Sequence, residues 1–202
     1  GYAPAPGYLR EALCANPKFR DPALPAFTLP FLHTGKRIRF DVLEYEPLLD
    51  SCNMTASDWA RIATDIESAY SKYDAFVVLH GTDTMAFTAS ALSFMLEGLA
   101  KTVVLTGSQI PLCEVRNDAE ANLLGALVLA GCYDIPEVGL YFANRLYRGN
   151  RVTKVDASGL EAFGSPNYPP LASVGIDFDV KWTHIRAHPP RGLRVRTGFD
   201  RS

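Results

Sequence analysis

The sequence predicts an α/β fold, in which a parallel or mixed sheet lies between two layers of helices. Short continuous apolar runs, typical of strands covered on both faces, alternate with longer segments of helical periodicity. The order strand, helix, strand, helix, strand at these intervals is typical of βαβ units, which build parallel sheets. Two layers of helices around one sheet give a three-layer domain.

The first seventy residues predict a short helix, a strand and a longer helix. Prolines interrupt the first thirty residues and leave room only for a short helix around residues 8–15. Residues 37–45 have an apolar centre and charged ends, which predicts a strand. Thr55 or Ser57 begins the next helix, because a hydroxyl there accepts the unpaired amides of the first turn. Its inward stripe has the i, i+3, i+4, i+7 spacing and comprises Trp59, Ile62, Ala63, Ile66 and Tyr70.

Three apolar runs further along the chain predict buried strands at residues 75–80, 102–106 and 137–142. Two helices are predicted between them, one over Met85 to Leu99 and one from Asn117 or Asp118 to Gly131. Ligands of such sheets bind beyond the carboxyl ends of the strands. Functional residues are therefore expected in three loops, residues 49–54, 80–85 and 106–117.

Composition excludes several classes of function. The 202 residues are 48% hydrophobic and carry a net charge of −2, which is typical of a globular domain and gives no case for a nucleic-acid partner. No apolar segment is long enough to span a bilayer, so no membrane partner is expected. Four scattered cysteines without a C-x-x-C pair favour reduced thiols and the cytoplasm. Six basic residues against one acid make residues 181–202 a basic connector toward a further domain.

The densest polar cluster is Gly81-Thr82-Asp83-Thr84, at the junction of a predicted strand and helix. Simple capping of the helix explains these residue types, but their place at the carboxyl end of a strand favours a site. A threonine hydroxyl needs a base to become a nucleophile, and Lys154 on an inward strand face is a candidate. The alternative for Lys154 is an exposed strand lysine. We expect Thr82, Asp83 and Lys154 to converge in one water-poor cavity.

Cofactors are not expected. The pair His184 and His188 has a metal-like spacing, but no helix aligns the two rings, and a surface pair is the simpler interpretation. The glycines form neither of the phosphate-binding patterns G-x-G-x-x-G and G-x-x-x-x-G-K-[ST]. The prediction is no metal and no nucleotide cofactor.

Four motifs carry a resemblance to a known family. Residues 80–86 read H-G-T-D-T-M-A, residues 106–111 T-G-S-Q-I-P, residues 148–154 R-G-N-R-V-T-K and residues 45–51 Y-E-P-L-L-D-S. Together they closely resemble the L-asparaginases, in particular the cytosolic type I enzymes and their lysophospholipase/asparaginase-like relatives. The similarity runs from residue 1 to about residue 173.

The resemblance implies an amidohydrolase that converts L-asparagine to L-aspartate and ammonia. Thr82 resembles the second catalytic threonine of the family and works with Lys154 in proton transfer and water activation. Asp83 resembles the residue that binds the substrate ammonium, and is counted with the catalytic residues. Ser51, with Asp50 beside it, resembles the holder of the substrate α-carboxylate.

Three further expectations rest on the same resemblance. Tyr2 resembles a residue of the mobile loop that closes over substrate. Thr153 resembles a residue that lines the effector asparagine site of allosteric type I enzymes. The family commonly forms dimers of dimers, so a homodimer or homotetramer is expected for the full-length protein.

The sequence departs from the family pattern in two ways. The segment T-G-G-T-I, which carries the first catalytic threonine on the opening strand, does not occur in this chain. The smaller C-terminal domain of the family is also not represented. Residues 1–180 are therefore expected to be an N-terminal asparaginase domain without its first strand, truncated at both ends and inactive alone.

Two other functions stay open at this point. One is the amidase subunit of a tRNA-dependent amidotransferase, which shares the threonine–aspartate motif but needs a partner subunit. The other is a non-catalytic ligand-binding or regulatory domain that has kept the pocket and lost the nucleophile.

Overall fold

The computed structural model describes residues 5–24, 27–30, 32 and 35–198. The chain divides into two compact units, residues 1–50 and residues 51–202.

The first unit contains little regular structure. Its elements are α1 (Tyr8–Ala15), β1 (Phe27–Thr28) and β2 (Arg39–Phe40). The predicted helix is confirmed with its bounds, whereas the predicted strand over residues 37–45 is wrong in length. Strand β2 pairs with the two-residue strand β1, and beyond this pair the backbone N–H of Leu29 donates to the Ile38 carbonyl oxygen at 2.9 Å, so the regular ladder is short.

The second unit carries most of the secondary structure. It begins with a 3-10 turn (Ser51–Asn53) and continues with α2 (Ala56–Ala69), β3 (Ala75–Leu79), α3 (Met85–Met95), β4 (Leu96–Glu97), β5 (Thr102–Thr106), α4 (Ala119–Cys132), β6 (Val138–Phe142), β7 (Arg145–Arg148), β8 (Thr153–Lys154), β9 (Phe163–Gly164), β10 (Ala172–Val174), β11 (Phe178–Val180), a 3-10 turn (Trp182–His184) and β12 (Arg194–Val195). Among the described residues, the longest helices, α2 and α4, have 14 residues each, and no helix meets the length and hydropathy that a bilayer crossing requires.

Six strands form a mixed sheet in the order β11-β10-β7-β6-β5-β3. Strands β3, β5 and β6 are parallel, and β7, β10 and β11 continue the sheet in antiparallel pairs. The predicted α/β fold with a parallel or mixed sheet is confirmed. Helices α3 and α4 connect the three parallel strands, as the alternation of apolar runs and helical segments predicts.

The core lies on both faces of the central strands. Every residue of β5 and β6 is buried. Helix α4 packs with Val104, Tyr141 and Leu146 in one buried cluster, so it covers one face. Side chains alternate along a strand, so Val103 and Leu140 point to the opposite face of the sheet, and both are fully buried. Helix α3 contacts β5 and β6 on that face. Helices therefore cover both faces of this part of the sheet.

Strand β3 differs from its predicted environment. The apolar run A-F-V-V-L predicts a strand covered on both faces, but its residues are only half-buried and Leu79 is exposed. The reason is its place in the sheet: β5 is its only strand neighbour in the described part of the chain. An apolar strand at the edge of a sheet presents unpaired backbone donors and acceptors on its outer side.

Helix α2 begins as predicted. Thr55 is its N-cap, and the backbone N–H of Thr55 donates to the Asp58 carboxylate at 2.7 Å in a capping box. Ile62, Ala63 and Ile66 of the predicted inward stripe are buried. The polar start of the helix and its apolar face are thus both encoded locally.

Gly125 on α4 packs so closely against Tyr141 of β6 that a methyl group on it would overlap the phenol ring. Tyr141 is buried and has no space to withdraw. We predict that Gly125→Ala lowers the free energy of unfolding by about 1–3 kcal/mol, the usual cost of overpacking a core. Urea denaturation measures the change. Gly175→Ala is the matched control, because Gly175 has open space around it, and an equal loss in both variants would contradict the prediction.

Candidate active site

The candidate site forms where β3 and β5 end. Residues 80–84 lead from β3 into α3, and residues 107–118 lead from β5 toward α4. The two loops touch directly after the strands, because the α-carbon of Gly107 lies against the backbone carbonyl of His80, where a methyl group would not fit. Glycine is required there for the close backbone approach.

Ser51 lies directly against the first of these loops. A methyl group on Gly81 would lie 2.7 Å from the Ser51 hydroxyl oxygen, and the Thr84 hydroxyl donates to the Ser51 carbonyl oxygen at 2.7 Å. Ser51 itself is buried. The 3-10 turn that begins at Ser51 therefore forms part of the wall around Gly81 and Thr82.

Lys154 joins the two central side chains of the loop. Its ammonium donates to the Thr82 hydroxyl oxygen at 3.0 Å and to Asp83 Oδ1 at 2.7 Å. The lysine side chain is 17% exposed, and it belongs to β8, which pairs antiparallel with β9. Residues 72 positions apart in sequence are thus brought into one hydrogen-bonded group.

The two faces of β8 are used differently. Val152 is buried and Lys154 is half-buried, whereas Thr153 and Val155 are exposed. This is the alternation that a strand imposes. Lys154 therefore faces Thr82, and Thr153 faces away from it.

Asp83 is a carboxylate under the influence of its neighbours. The hydrogen bond from Lys154, then the hydrogen bond from the Cys52 thiol at 3.3 Å and the charge of Lys154, hold the pKa of Asp83 below its ordinary value. The Asp83 side chain is 59% exposed, so solvent screens these interactions. The expected water-poor cavity is therefore not found in the described residues, where the group is open on the Asp83 side.

Gln109 is a member of the site for which the sequence predicts no role. The Thr82 hydroxyl donates to Gln109 Oε1 at 2.9 Å. The Gln109 amide nitrogen donates to the carbonyl oxygens of Ala157 and Gly159 at 3.1 and 3.0 Å. Gln109 thereby connects Thr82 to the segment that follows Lys154, and its place in the motif T-G-S-Q-I-P is the signal that could have singled it out.

Asp118 fixes the position of Gln109. Its carboxylate accepts hydrogen bonds from the backbone amides of Gln109 and Ile110, with shortest distances of 3.0 and 2.9 Å. The Asn122 side chain donates to the same carboxylate at 3.1 Å. Asp118 does begin α4 as predicted, but its carboxylate makes no cap hydrogen bond to the helix and holds the loop instead.

Three predicted site residues remain, namely Asp50, Tyr2 and Thr153. Asp50 is exposed and is the last residue of the first compact unit. Tyr2 lies outside the described residues. Thr153 is exposed on the opposite face of β8 from Lys154. The part of the chain that the structure describes contains no group of three or more His, Cys, Asp or Glu side chains suited to hold a metal ion.

The geometry supports two kinds of chemistry. An amine within hydrogen-bond distance of a hydroxyl is the arrangement in which a proton passes between a base and a nucleophile or a water molecule. An exposed carboxylate beside it binds a cationic group of a ligand. Together they fit a small substrate that carries an ammonium group close to a reactive centre.

Comparison with known proteins agrees with this chemistry. The family model described as "Asparaginase, N-terminal" matches residues 16–186. L-asparaginase 1 of Escherichia coli K12 is 54% identical over 176 residues, which cover 87% of this chain and 48% of that protein. The 60 kDa lysophospholipase of Mus musculus is 55% identical over 166 residues, which cover 81% of this chain and 29% of that protein.

A solved structure is also similar. The crystal structure of L-asparaginase I from Vibrio cholerae is 46% identical, with a TM-score of 0.82, and the match covers 97% of this chain and 56% of that one. The chain thus spans about half the length, or less, of the relatives that it matches.

The Asp83 carboxyl yields a prediction about its pKa. The pKa of Asp83 is lower in the folded state than in the unfolded state. The ionised Asp83 carboxylate therefore contributes fully to the free energy of unfolding above the ordinary carboxyl pKa, and this contribution is lost as the pH falls through the lowered, folded-state pKa. Lys154→Met removes the largest cause, so the Asp83 pKa should rise. Cys52→Ala removes a smaller cause and should raise it less. Carboxyl 13C NMR titration, with the signal assigned by Asp83→Asn, measures both; an unchanged pKa in Lys154→Met would contradict the assignment.

Proposed function

The chain belongs to the asparaginase family, and we propose that the protein containing it hydrolyses L-asparagine to L-aspartate and ammonia. The observation that carries the proposal is the Lys154 ammonium, which is hydrogen-bonded both to the Thr82 hydroxyl and to the Asp83 carboxylate. Amide hydrolysis needs groups that transfer protons close to a group that binds the substrate, and these three side chains supply both.

Thr82 and Lys154 form the proton-transfer pair of the proposal. The Thr82 hydroxyl has Lys154 on one side and the Gln109 carbonyl oxygen on the other. When the Lys154 amine is neutral, it accepts the Thr82 proton, and Thr82 in turn takes a proton from water or from the attacking group. Gln109 holds the hydroxyl in line for this transfer.

Asp83 couples substrate binding to that chemistry. Its carboxylate accepts a hydrogen bond from the Lys154 ammonium at 2.7 Å. The α-ammonium of asparagine takes a place at the same carboxylate and brings a second positive charge close to Lys154. The bound substrate is thereby held beside the proton-transfer pair.

Four further residues are proposed to act in substrate binding, closure over the substrate and regulation. Ser51, with Asp50 next to it in the sequence, is proposed to hold the substrate α-carboxylate, and the contact of Ser51 with Gly81 supports this role for Ser51. Tyr2 is proposed as part of the lid over the substrate, and Thr153 as part of an effector site for asparagine. The exposure of Thr153 on the strand face opposite Lys154 supports a role separate from the catalytic group.

We propose that the first catalytic threonine lies outside residues 1–202, on a strand that pairs with β3. The half-exposed apolar edge of β3 supports this, because a further strand would cover it. Residues 1–180 then form an N-terminal domain, and residues 181–202 connect it to a C-terminal domain. The lengths of the relatives support this organisation, since the chain covers 48% of the Escherichia coli protein.

The assembly and location are proposals of the same kind. A homodimer or homotetramer in the cytoplasm follows from the resemblance to the type I enzymes. The similarity to L-asparaginase 1 of Escherichia coli supports it.

Ammonia release from L-asparagine tests the proposed function. In the intact protein, meaning this chain together with a T-G-G-T-I segment before it and a C-terminal domain after it, we predict that Lys154→Met lowers kcat by about a thousandfold, within the range for loss of a proton-transfer group. Residues 1–202 alone should release no measurable ammonia, because the remaining groups of a catalytic unit rescue little.

Lys181→Met is the matched control for that experiment. Lys181 pairs with Asp179 at the surface, so its loss should leave kcat unchanged. An intact protein that releases no ammonia from asparagine, or a Lys154→Met variant within tenfold of the parent, would refute the proposal.

Gln109 gives an independent prediction. Gln109→Glu keeps an acceptor for the Thr82 hydroxyl but cannot donate to the carbonyl oxygens of Ala157 and Gly159. The loop after Lys154 loses its tie to Thr82, so kcat for asparagine should fall about tenfold. Steady-state kinetics of the intact protein measure this. An unchanged kcat would show that Gln109 plays no part in holding Thr82.

A further inference from the structure

Three consecutive hydrogen bonds connect α2 and α3 with residues 80–84, the loop that carries Thr82. The indole N–H of Trp59 on α2 donates to the Thr88 hydroxyl oxygen of α3 at 2.9 Å. The same hydroxyl lies 2.8 Å from His80 Nε2, and His80 Nδ1 lies 2.7 Å from the carbonyl oxygen of Gly81. The line of hydrogen bonds therefore runs from one helix through a second helix to the residue before Thr82.

Only one arrangement of hydrogens with a neutral ring satisfies all three contacts. The indole N–H can only donate, and a backbone carbonyl can only accept. His80 Nδ1 must therefore carry the imidazole hydrogen, and Nε2 must accept one from Thr88. All three hydrogen bonds point the same way, from Trp59 to Gly81.

The surroundings of His80 agree with a neutral ring. Thr88 is fully buried. Burial lowers the pKa of His80 below its ordinary value, which outweighs the opposite effect of the Gly81 carbonyl. The neutral ring is the form in which Nε2 accepts a hydrogen bond.

The line ends on the peptide that carries the Thr82 nitrogen. His80 holds the Gly81 carbonyl, while the α-carbon of Gly81 lies against Ser51. The backbone carbonyl of His80 is itself held against Gly107. The peptide between Gly81 and Thr82 is thus fixed on several sides, and with it the places of the Thr82 and Asp83 α-carbons.

We propose that His80 is a positioning residue for Thr82 and Asp83, kept in its Nδ1–H tautomer by Thr88 and Trp59. It acts through the Gly81 carbonyl, because the hydrogen-bond partners found for the Thr82 hydroxyl are Lys154 and Gln109. The inference rests on the proposed function for its catalytic readout. Its structural readout, the tautomer of His80, is independent of activity.

Two substitutions at His80 separate its contacts. An asparagine amide takes the place of Nδ1, so His80→Asn keeps a donor for the Gly81 carbonyl. In His80→Gln the longer side chain brings its amide to the position of Nε2, so this variant keeps the contact to Thr88 and loses the contact to the Gly81 carbonyl. In the intact protein, His80→Gln should lower kcat for asparagine about thirtyfold, with KM within about threefold, whereas His80→Asn should stay within about fivefold. Equal kcat values for the two would overturn the proposal.

Substitutions at Thr88 test the rest of the line. Thr88→Val removes the hydroxyl at nearly constant volume and should lower kcat about tenfold, and Thr88→Ser should restore it to within about threefold. Thr64→Val is the matched control, since the exposed Thr64 hydroxyl bonds only within α2, to the Ala60 carbonyl. Assays below the melting temperature of each variant separate misplacement from unfolding.

The 15N NMR spectrum of histidine-labelled intact protein reads the tautomer directly. The His80 signals are assigned by their loss in His80→Asn. The proposal expects a protonated Nδ1 and an unprotonated Nε2 in the parent, and a mixture of tautomers in Thr88→Val. A parent with a protonated Nε2, or an active parent whose Thr88→Val variant keeps full kcat, would overturn the inference. A parent without asparaginase activity would refute the proposed function instead.

Discussion

The hydrogen bonds of a single ammonium group, that of Lys154, hold the candidate site together. Lys154 Nζ contacts Thr82 at 3.0 Å and Asp83 at 2.7 Å, and it links the short β8–β9 pair to the main sheet. One ammonium group bonds to both side chains, so the distance between the Thr82 hydroxyl and the Asp83 carboxylate does not depend on two separate supports. Because Asp83 is exposed, the pair contributes geometry more than stability.

The sheet explains why these residues meet. Parallel strands deliver their following loops to one edge, and glycines at positions 81 and 107 let backbone and side chains approach at distances that no larger residue permits. Helix α3 begins directly after residues 80–84, and its buried Thr88 bonds back to His80, the first residue of that loop. The same hydrogen bonds of Thr88 therefore join α2 to α3 and connect both helices to the loop of the site.

Much of this arrangement can be predicted from the sequence, and the limits have physical causes. The helix over residues 8–15 and the strand over residues 102–106 depend on local periodicity, which the sequence displays. Strands β8 and β9 have two residues each, and the alternation of residues 152–155 predicts the face of Lys154 but not the pairing of β8 with β9. The contacts of Gln109 join residues 27 to 50 positions apart, and nothing in the local sequence of either partner encodes them. Family motifs contain His80 and Gln109 as well as the predicted site residues, but a motif does not show which side chains bond to one another.

The open side of β3 has a consequence for the handling of this polypeptide. Among the described residues the apolar A-F-V-V-L strand has no strand neighbour on its outer side, and such an edge is a template for intermolecular β-augmentation. Copies of the 202-residue chain that meet through this edge would associate without a defined stoichiometry. A short synthetic peptide that pairs with this edge would compete with such self-association and keep the polypeptide dispersed.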